Sequence, residues 1–252
     1  MIESHKNTVK EEEISQFQKD STQWWDEDGA FAPLHKLNPV RIKFIRSEII
    51  KHYQRDPSKQ LALKDLNILD IGCGGGLVCE PLTRLGGNVT GIDADSQAIN
   101  VAIRHAEKQG LAITYKSTTS EELSQKKKKY DVVCALEIIE HVENPEFFIK
   151  TCVECLKPDG ILLISTLNRT PKSFLMGIVA AEHLLRWVPK GTHHWSQFVK
   201  PSEIRGFLHH TEFKIRAING INYNILKGKF NLSDEGISNN YILSAARTHS
   251  GK

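Results

Sequence analysis

The sequence predicts a doubly wound α/β fold, and three observations carry that expectation. From residue 67 onward, short β-rich runs alternate with segments of helical periodicity, the first run ends in a glycine cluster, and the second ends in Asp93. Strands separated by helices of about 10 to 15 residues form βαβ units, and so a parallel sheet with both faces covered. A glycine-rich turn after the first strand and an acid ending the second belong to a Rossmann-like core.

The elements follow in order. "NILDIG" (67–72) reads as the first strand, and "LVCEPLTRLG" (77–86) as a helix stopped by Gly86. "NVTGID" (88–93) is the second strand, and "SQAINVAIRHAEKQG" (96–110) a helix with apolar residues at helical spacing and Gly110 as its stop. "AITYKS" (112–117) and "YDVVCAL" (130–136) are strands three and four. "PEFFIKTCVECLKPDG" (145–160) is a helix ended by Pro158 and Gly160, followed by "ILLISTLN" (161–168) as strand five. After Asn168 the alternation breaks: "PSEIRGFLHHT" is a helix, and "FKIRAING" and "NYILSAAR" are two late strands that suggest an antiparallel finish. The first 60 residues read as a separate helical cap packed near the open edge of the core. Two amphipathic helices, "EEEISQFQKD" and "NPVRIKFIRSEIIKHYQRD", flank the aromatic, turn-rich "STQWWDEDGAFAPLHKL". The remaining residues, 61–252, form the main domain, with 170–200 as an inserted lid.

Composition bounds the function. With 252 residues and 40% hydrophobic content the chain can bury one substantial core. A formal charge of +3, from 33 basic and 30 acidic residues, is too small to imply nucleic-acid binding, and the run Lys126 to Lys129 reads as a solvated loop. Five cysteines, Cys73, Cys79, Cys134, Cys152 and Cys155, suggest reduced thiols in a reducing compartment. Cys152 and Cys155 form a CxxC, but with no second pair they read as the apolar face of a helix. The N-terminus lacks a signal-peptide apolar region, and no run reaches the roughly 18 uninterrupted apolar residues of a spanning helix.

The loop "LDIGCGGGLVCE" brings Gly72, Gly74, Gly75 and Gly76 to a place where backbone must approach a ligand closely. Asp93 is positioned to accept both hydroxyls of a ribose. A dinucleotide fingerprint requires a further glycine at the sixth place, where Leu77 stands. Asp70 would repel a pyrophosphate and suits the ammonium group of S-adenosylmethionine, which carries no phosphate. A nicotinamide or flavin cofactor is the rival reading. Beyond strand four, Glu137, Glu140 and His141 share one face if the chain enters a helical turn. They form either a divalent-metal or acid/base set, or a solvated helix start. A phenolic acceptor, with a pKa near ~10, would need such a base or Lewis acid.

At this level of detail the chain resembles the ubiquinone-biosynthesis O-methyltransferases, class I S-adenosylmethionine-dependent enzymes that methylate polyprenylated dihydroxybenzenes in two steps. The likeness runs through "WWDEDGAFAPLHKLNPVR", "LDIGCGGG", "VTGID", "YDVVCALEIIEHV", "STLNRTPKSFLM" and "VPKGTHHW". It implies a class I methyltransferase fold with a seven-stranded, mostly parallel sheet. It implies that Arg41, Gly72, Asp93 and Leu136 contact S-adenosylmethionine, and that Glu137, Glu140 and His141 bind Mg²⁺ in at least part of the family. His194 stands where the family often has an acid, and Asn240 and Tyr241 match its final strand. The implied acceptor is a polyprenyl phenol, catechol or hydroquinol, and other ubiquinone-biosynthesis proteins are possible partners. Because such a tail lives in the bilayer, residues 173–190 ("SFLMGIVAAEHLLRWVPK") are expected to form a lid docking on the inner face of the cytoplasmic membrane, although a plain core helix also fits their apolar pattern.

Overall fold

The computed structural model describes residues 8, 10, 14, 15, 18, 20–126, 128–174, 195–224, 227–234 and 236–248. Most of the proposed lid, including His194, and most of the first N-terminal helix lie outside the described residues.

After a 3-10 turn at Ser21–Gln23, helix α1 spans Ala32–His52. The alternation then runs β1 (Asn67–Ile71), α2 (Cys79–Arg84), β2 (Asn88–Asp93), α3 (Ser96–Lys108), β3 (Thr114–Ser117), α4 (Ser120–Ser124), β4 (Tyr130–Leu136), α5 (Pro145–Glu154) and β5 (Leu156–Leu167). Helix α6 (Pro201–Leu208) and strands β6 (Phe213–Asn224), β7 (Lys229–Ser233) and β8 (Asn240–Arg247) complete it. The strand order is β3-β2-β1-β4-β5-β8-β6-β7. The first five strands are parallel, and β8, β6 and β7 finish the sheet antiparallel.

Among the described residues the sheet holds eight strands in place of the seven expected. The additional one, β7, is five residues long, and it forms a hairpin with β6 around Gly228 at φ +61°. Helix α1 begins earlier than the sequence suggested, because Pro33 is tolerated in its first turn; Pro39 lies inside it. Helix α5 ends at Glu154, so Pro158 and Gly160 fall within β5, beside a register irregularity against β4 rather than at the helix stop.

Side chains alternate across the sheet. Ile68, Val132, Cys134 and Leu163 join a cluster with Phe44, Ile45 and Ile49 of α1, Leu82 of α2 and Ile99 of α3. Leu69, Ile71, Val133, Ala135 and Ile164 join another with Phe148 and Ile149 of α5 and Ile204 and Leu208 of α6. This period of two buries both faces, as a parallel sheet requires. All five cysteines are buried and free, so the Cys152/Cys155 pair is core, as its apolar surroundings suggested.

Candidate active site

The order reverses between β1 and β4, and ligands bind in the crevice outside the carboxyl ends of strands at such a switch point. Gly72, Gly74 and Gly76 follow β1 with φ of +71°, +50° and +90°, the left-handed region that other residues enter only at a cost. A Cβ on Gly72 would strike Ile138 just beyond β4, so glycine lets the two loops touch.

Asp93, at the end of β2, accepts from the Gly74 N–H through Oδ2 and from the Asp95 N–H through Oδ1, each at 2.8 Å. Burial pushes its carboxyl up to about 6, and those backbone donors limit the rise. Asp70 is buried at the end of β1 and accepts from Cys79 Sγ at 3.3 Å. Burial pushes Asp70 up to about 7, against the Cys79 hydrogen bond and the charge of Arg41. Arg41, on α1, is 3% exposed, and its Nε has no partner. Burial lowers its pKa, while Glu137 and Asp70 oppose that shift. A buried guanidinium with an open N–H between carboxylates fits a ligand carrying its own carboxylate and ammonium, the charges of the amino-acid end of S-adenosylmethionine.

Leu136 ends β4, and Glu137 follows with φ +53°. That left-handed non-glycine backbone is held by β5: the Glu137 N–H donates to the Ser165 carbonyl at 2.9 Å, and its Oε1 accepts from Ser165 Oγ at 2.7 Å. Strain kept in place by surrounding bonds points to a functional position. The chain then forms a 3-10 turn, Ile139–His141, so Glu137 lies outside it and the expected shared helical face is not formed. Glu140 is 3% exposed; its Oε2 accepts from Thr166 Oγ1 at 2.8 Å, while Oε1 is buried without a partner. Burial first, then the charge of Glu137, pushes the Glu140 carboxyl up to about 7, and the nearby His141 pulls it down.

Among the described residues, no group of three or more His, Cys, Asp or Glu side chains comes together in a way that could hold a metal ion, which rules against a zinc-type site. Magnesium keeps several waters and needs only one or two carboxylates. The mutual repulsion of Glu137 and Glu140 and the open Glu140 Oε1 fit that lighter demand. Glu140 also lines a cavity of about 240 Å³ with Val142, Arg169, Phe198, Glu203 and Phe207. A cavity of ~150 Å³ holds one benzene ring, so this one has room for a substituted aromatic head.

Sequence reasoning missed Ser165 and Thr166, which hold these acids, and singled out Asn240 without giving it that role. Ser165 and Thr166 lie in β5, and Asn240 Nδ2 reaches Glu137 Oε2 at 3.5 Å. It also missed Trp24, which packs so closely on the glycine loop that a Cβ on Gly74 or Gly75 would enter its side chain. The "WWDEDG" segment was the signal available.

The methyltransferase-domain family matches residues 44–218. A ubiquinone biosynthesis O-methyltransferase of Pelagibacter ubique is 45% identical over 94% of this chain and 97% of its own. Another from Bartonella tribocorum is 42% identical over 98% of this chain and 100% of its own. Among solved structures, the magnesium protoporphyrin IX methyltransferase of Synechocystis with bound SAH superposes with a TM-score of 0.63. It is 18% identical and covers 93% of this chain and 95% of its own, a likeness of fold.

Proposed function

The chain belongs to the ubiquinone biosynthesis O-methyltransferases, and from that premise we propose how its residues divide the work of moving a methyl group from S-adenosylmethionine to a phenolic oxygen. The acceptors are polyprenylated dihydroxybenzenes, at both O-methylation steps of the pathway. Arg41 takes the cofactor's carboxylate, Gly72 and Leu136 line its bed, and Asp93 exchanges its two backbone donors for ribose hydroxyls. Residues 1–60 cap this side of the main domain.

Transfer from sulfonium to oxygen needs the two in line and the phenol deprotonated, so positioning and proton removal carry the rate. Glu140 supports the acid/base assignment: a buried carboxyl with one open oxygen on an aromatic-sized cavity can hold a phenolic hydroxyl and receive its proton. A carboxyl held near neutrality suits proton transfer at physiological pH. His141, close enough to lower the Glu140 pKa, shares that charge. Glu137, fixed by Ser165, shapes the mouth. Of the expected set Glu137, Glu140 and His141, the two carboxylates would hold Mg²⁺, completed by water, with His141 beside them; the ion would supply Lewis acidity toward the acceptor oxygen.

The test is single-turnover methyl transfer to a polyprenyl catechol by wild type and Glu140→Gln, with and without Mg²⁺ after chelation. Glu140→Gln is expected to lose about 10²-fold or more in rate, with affinity for S-adenosylhomocysteine kept. Wild-type turnover by the variant overturns the role of Glu140, and metal-independent wild-type turnover overturns that of the ion.

Membrane docking at residues 173–190 is supported by their composition and by the two aromatic residues flanking the undescribed stretch. Phe174 and Trp195 are 47% and 39% exposed and meet edge to face at 6.4 Å. Among the described residues no helix is long and apolar enough to cross a membrane.

A further inference from the structure

The segment before α1 lies outside the sheet but is tied to the cofactor loops. Trp25 Nε1 donates to the Gly75 carbonyl at 2.9 Å, and its ring stacks on His105 of α3 with centroids 3.5 Å apart and planes 9° from parallel. His105 is held from behind: its Nδ1 lies 2.5 Å from Oε1 of Glu80, a side chain only 1% exposed that also pairs with Arg84. The neighbouring Trp24 stacks on Phe31 at 3.8 Å, and its carbonyl accepts from His35 Nε2 at 2.8 Å. Upstream, Ser21 Oγ donates to Asp95, whose own N–H is bound by Asp93. Residues 21–31 are therefore fastened at the glycine loop and at the acid ending β2, the two elements given to the cofactor above.

We propose that Trp25 and His105 are positioning residues for S-adenosylmethionine: their stack, backed by Glu80, latches residues 21–31 onto the glycine loop and sets the Gly75 backbone that faces the cofactor. The inference rests on the cofactor assignment made above. Neither side chain needs to touch the cofactor, because Trp25 acts through the Gly75 carbonyl and His105 acts through Trp25. The latch also gives Gly74 and Gly75 a second reason to lack side chains, since Trp24 fills the space a Cβ would take. Two residues that work as one latch must lose their effect together, which a merely buried pair with separate packing roles would not do.

The experiment is calorimetric titration of S-adenosylhomocysteine into the full chain, as wild type, Trp25→Phe, Trp25→Ala, His105→Ala and the double alanine variant, with steady-state kinetics alongside. Loss of one aromatic stack and one hydrogen bond should weaken binding about tenfold in Trp25→Ala. His105→Ala should lose a comparable factor, the double variant no more than Trp25→Ala alone, and Trp25→Phe less, because it keeps the stack. The kinetic loss should fall on the KM for S-adenosylmethionine more than on kcat. Trp25→Ala affinity within twofold of wild type, or losses that multiply in the double variant, overturns the latch. A wild type that binds no S-adenosylhomocysteine overturns instead the cofactor assignment on which it rests. If Trp25→Ala does not fold, the same reading comes from His105→Ala and Trp25→Phe.

Discussion

Cofactor affinity should fall steeply as the pH drops below 7, and the structure sets the size of the effect. Asp93 and Asp70 titrate at about 6 and about 7, both raised chiefly by burial. If Asp93 accepts two ribose hydroxyls and Asp70 balances the ammonium group, as proposed, both must be ionised to do so. A bound cation and bound hydroxyl donors both favour the ionised acids, so binding releases protons and strengthens as pH rises. At about pH 5 the ionised fraction of Asp93 is about a tenth and that of Asp70 about a hundredth. Affinity for S-adenosylhomocysteine should therefore be at least ~10-fold weaker there than at about pH 8, and ~1000-fold weaker if both charges are required. Calorimetry across this range in two buffers of different ionisation enthalpy measures affinity and proton release together, and Asp93→Asn should erase the limb near pH 6. A change of less than about threefold, with no proton release, would refute the reasoning. The same shifts fix the sign for stability. Both folded values lie above the ordinary carboxylate value of 3.8, so these two acids make the free protein less stable as pH rises from about 4 to about 7. The cofactor should reverse that trend, so its stabilising effect on Tm should grow with pH.

Two further outcomes test the charge and the surface. Replacing Arg41 by leucine removes the buried positive charge that opposes the upward shift of Asp70 and that is proposed to hold the cofactor's carboxylate. Tm should fall and S-adenosylhomocysteine binding should weaken at least tenfold, whereas Arg41→Lys, which keeps the charge without the planar fork, should retain more Tm than affinity. Phe174→Ser should reduce co-sedimentation with anionic vesicles while leaving S-adenosylhomocysteine affinity unchanged, and undiminished co-sedimentation counts against the docking surface.

The parallel half of the fold was legible because its strands are bounded by glycine turns and separated by helices with a clear 3.6-residue period, as in residues 96–108 between Asp93 and Gly110. The short elements were not. β7 offers five residues with one phenylalanine and one leucine, and α4 only "SEELS". Neither is long enough for periodicity to separate it from a turn. At the candidate site, spacing alone located Asp93 and the glycine loop, because both lie at strand ends whose position the pattern sets. The arrangement beyond β4 depends on contacts from distant sequence. Ser165 draws Glu137 into a left-handed backbone, and Thr166 and Asn240 arrive from β5 and β8. No local pattern around residues 137–141 encodes those partners.

The same contrast explains why the acids look costly without a ligand. Asp70 and Glu137 lie in the field of the buried Arg41, and Asp70, Asp93 and Glu140 are pushed upward in pKa. A scaffold selected for stability alone would replace such groups with apolar side chains of similar volume. Their retention is consistent with a partner that brings positive charge into the crevice, as the ammonium and sulfonium of S-adenosylmethionine do. The excess of buried acid is then the part of the cofactor's complement that the protein carries in advance, and ionising it couples binding to pH.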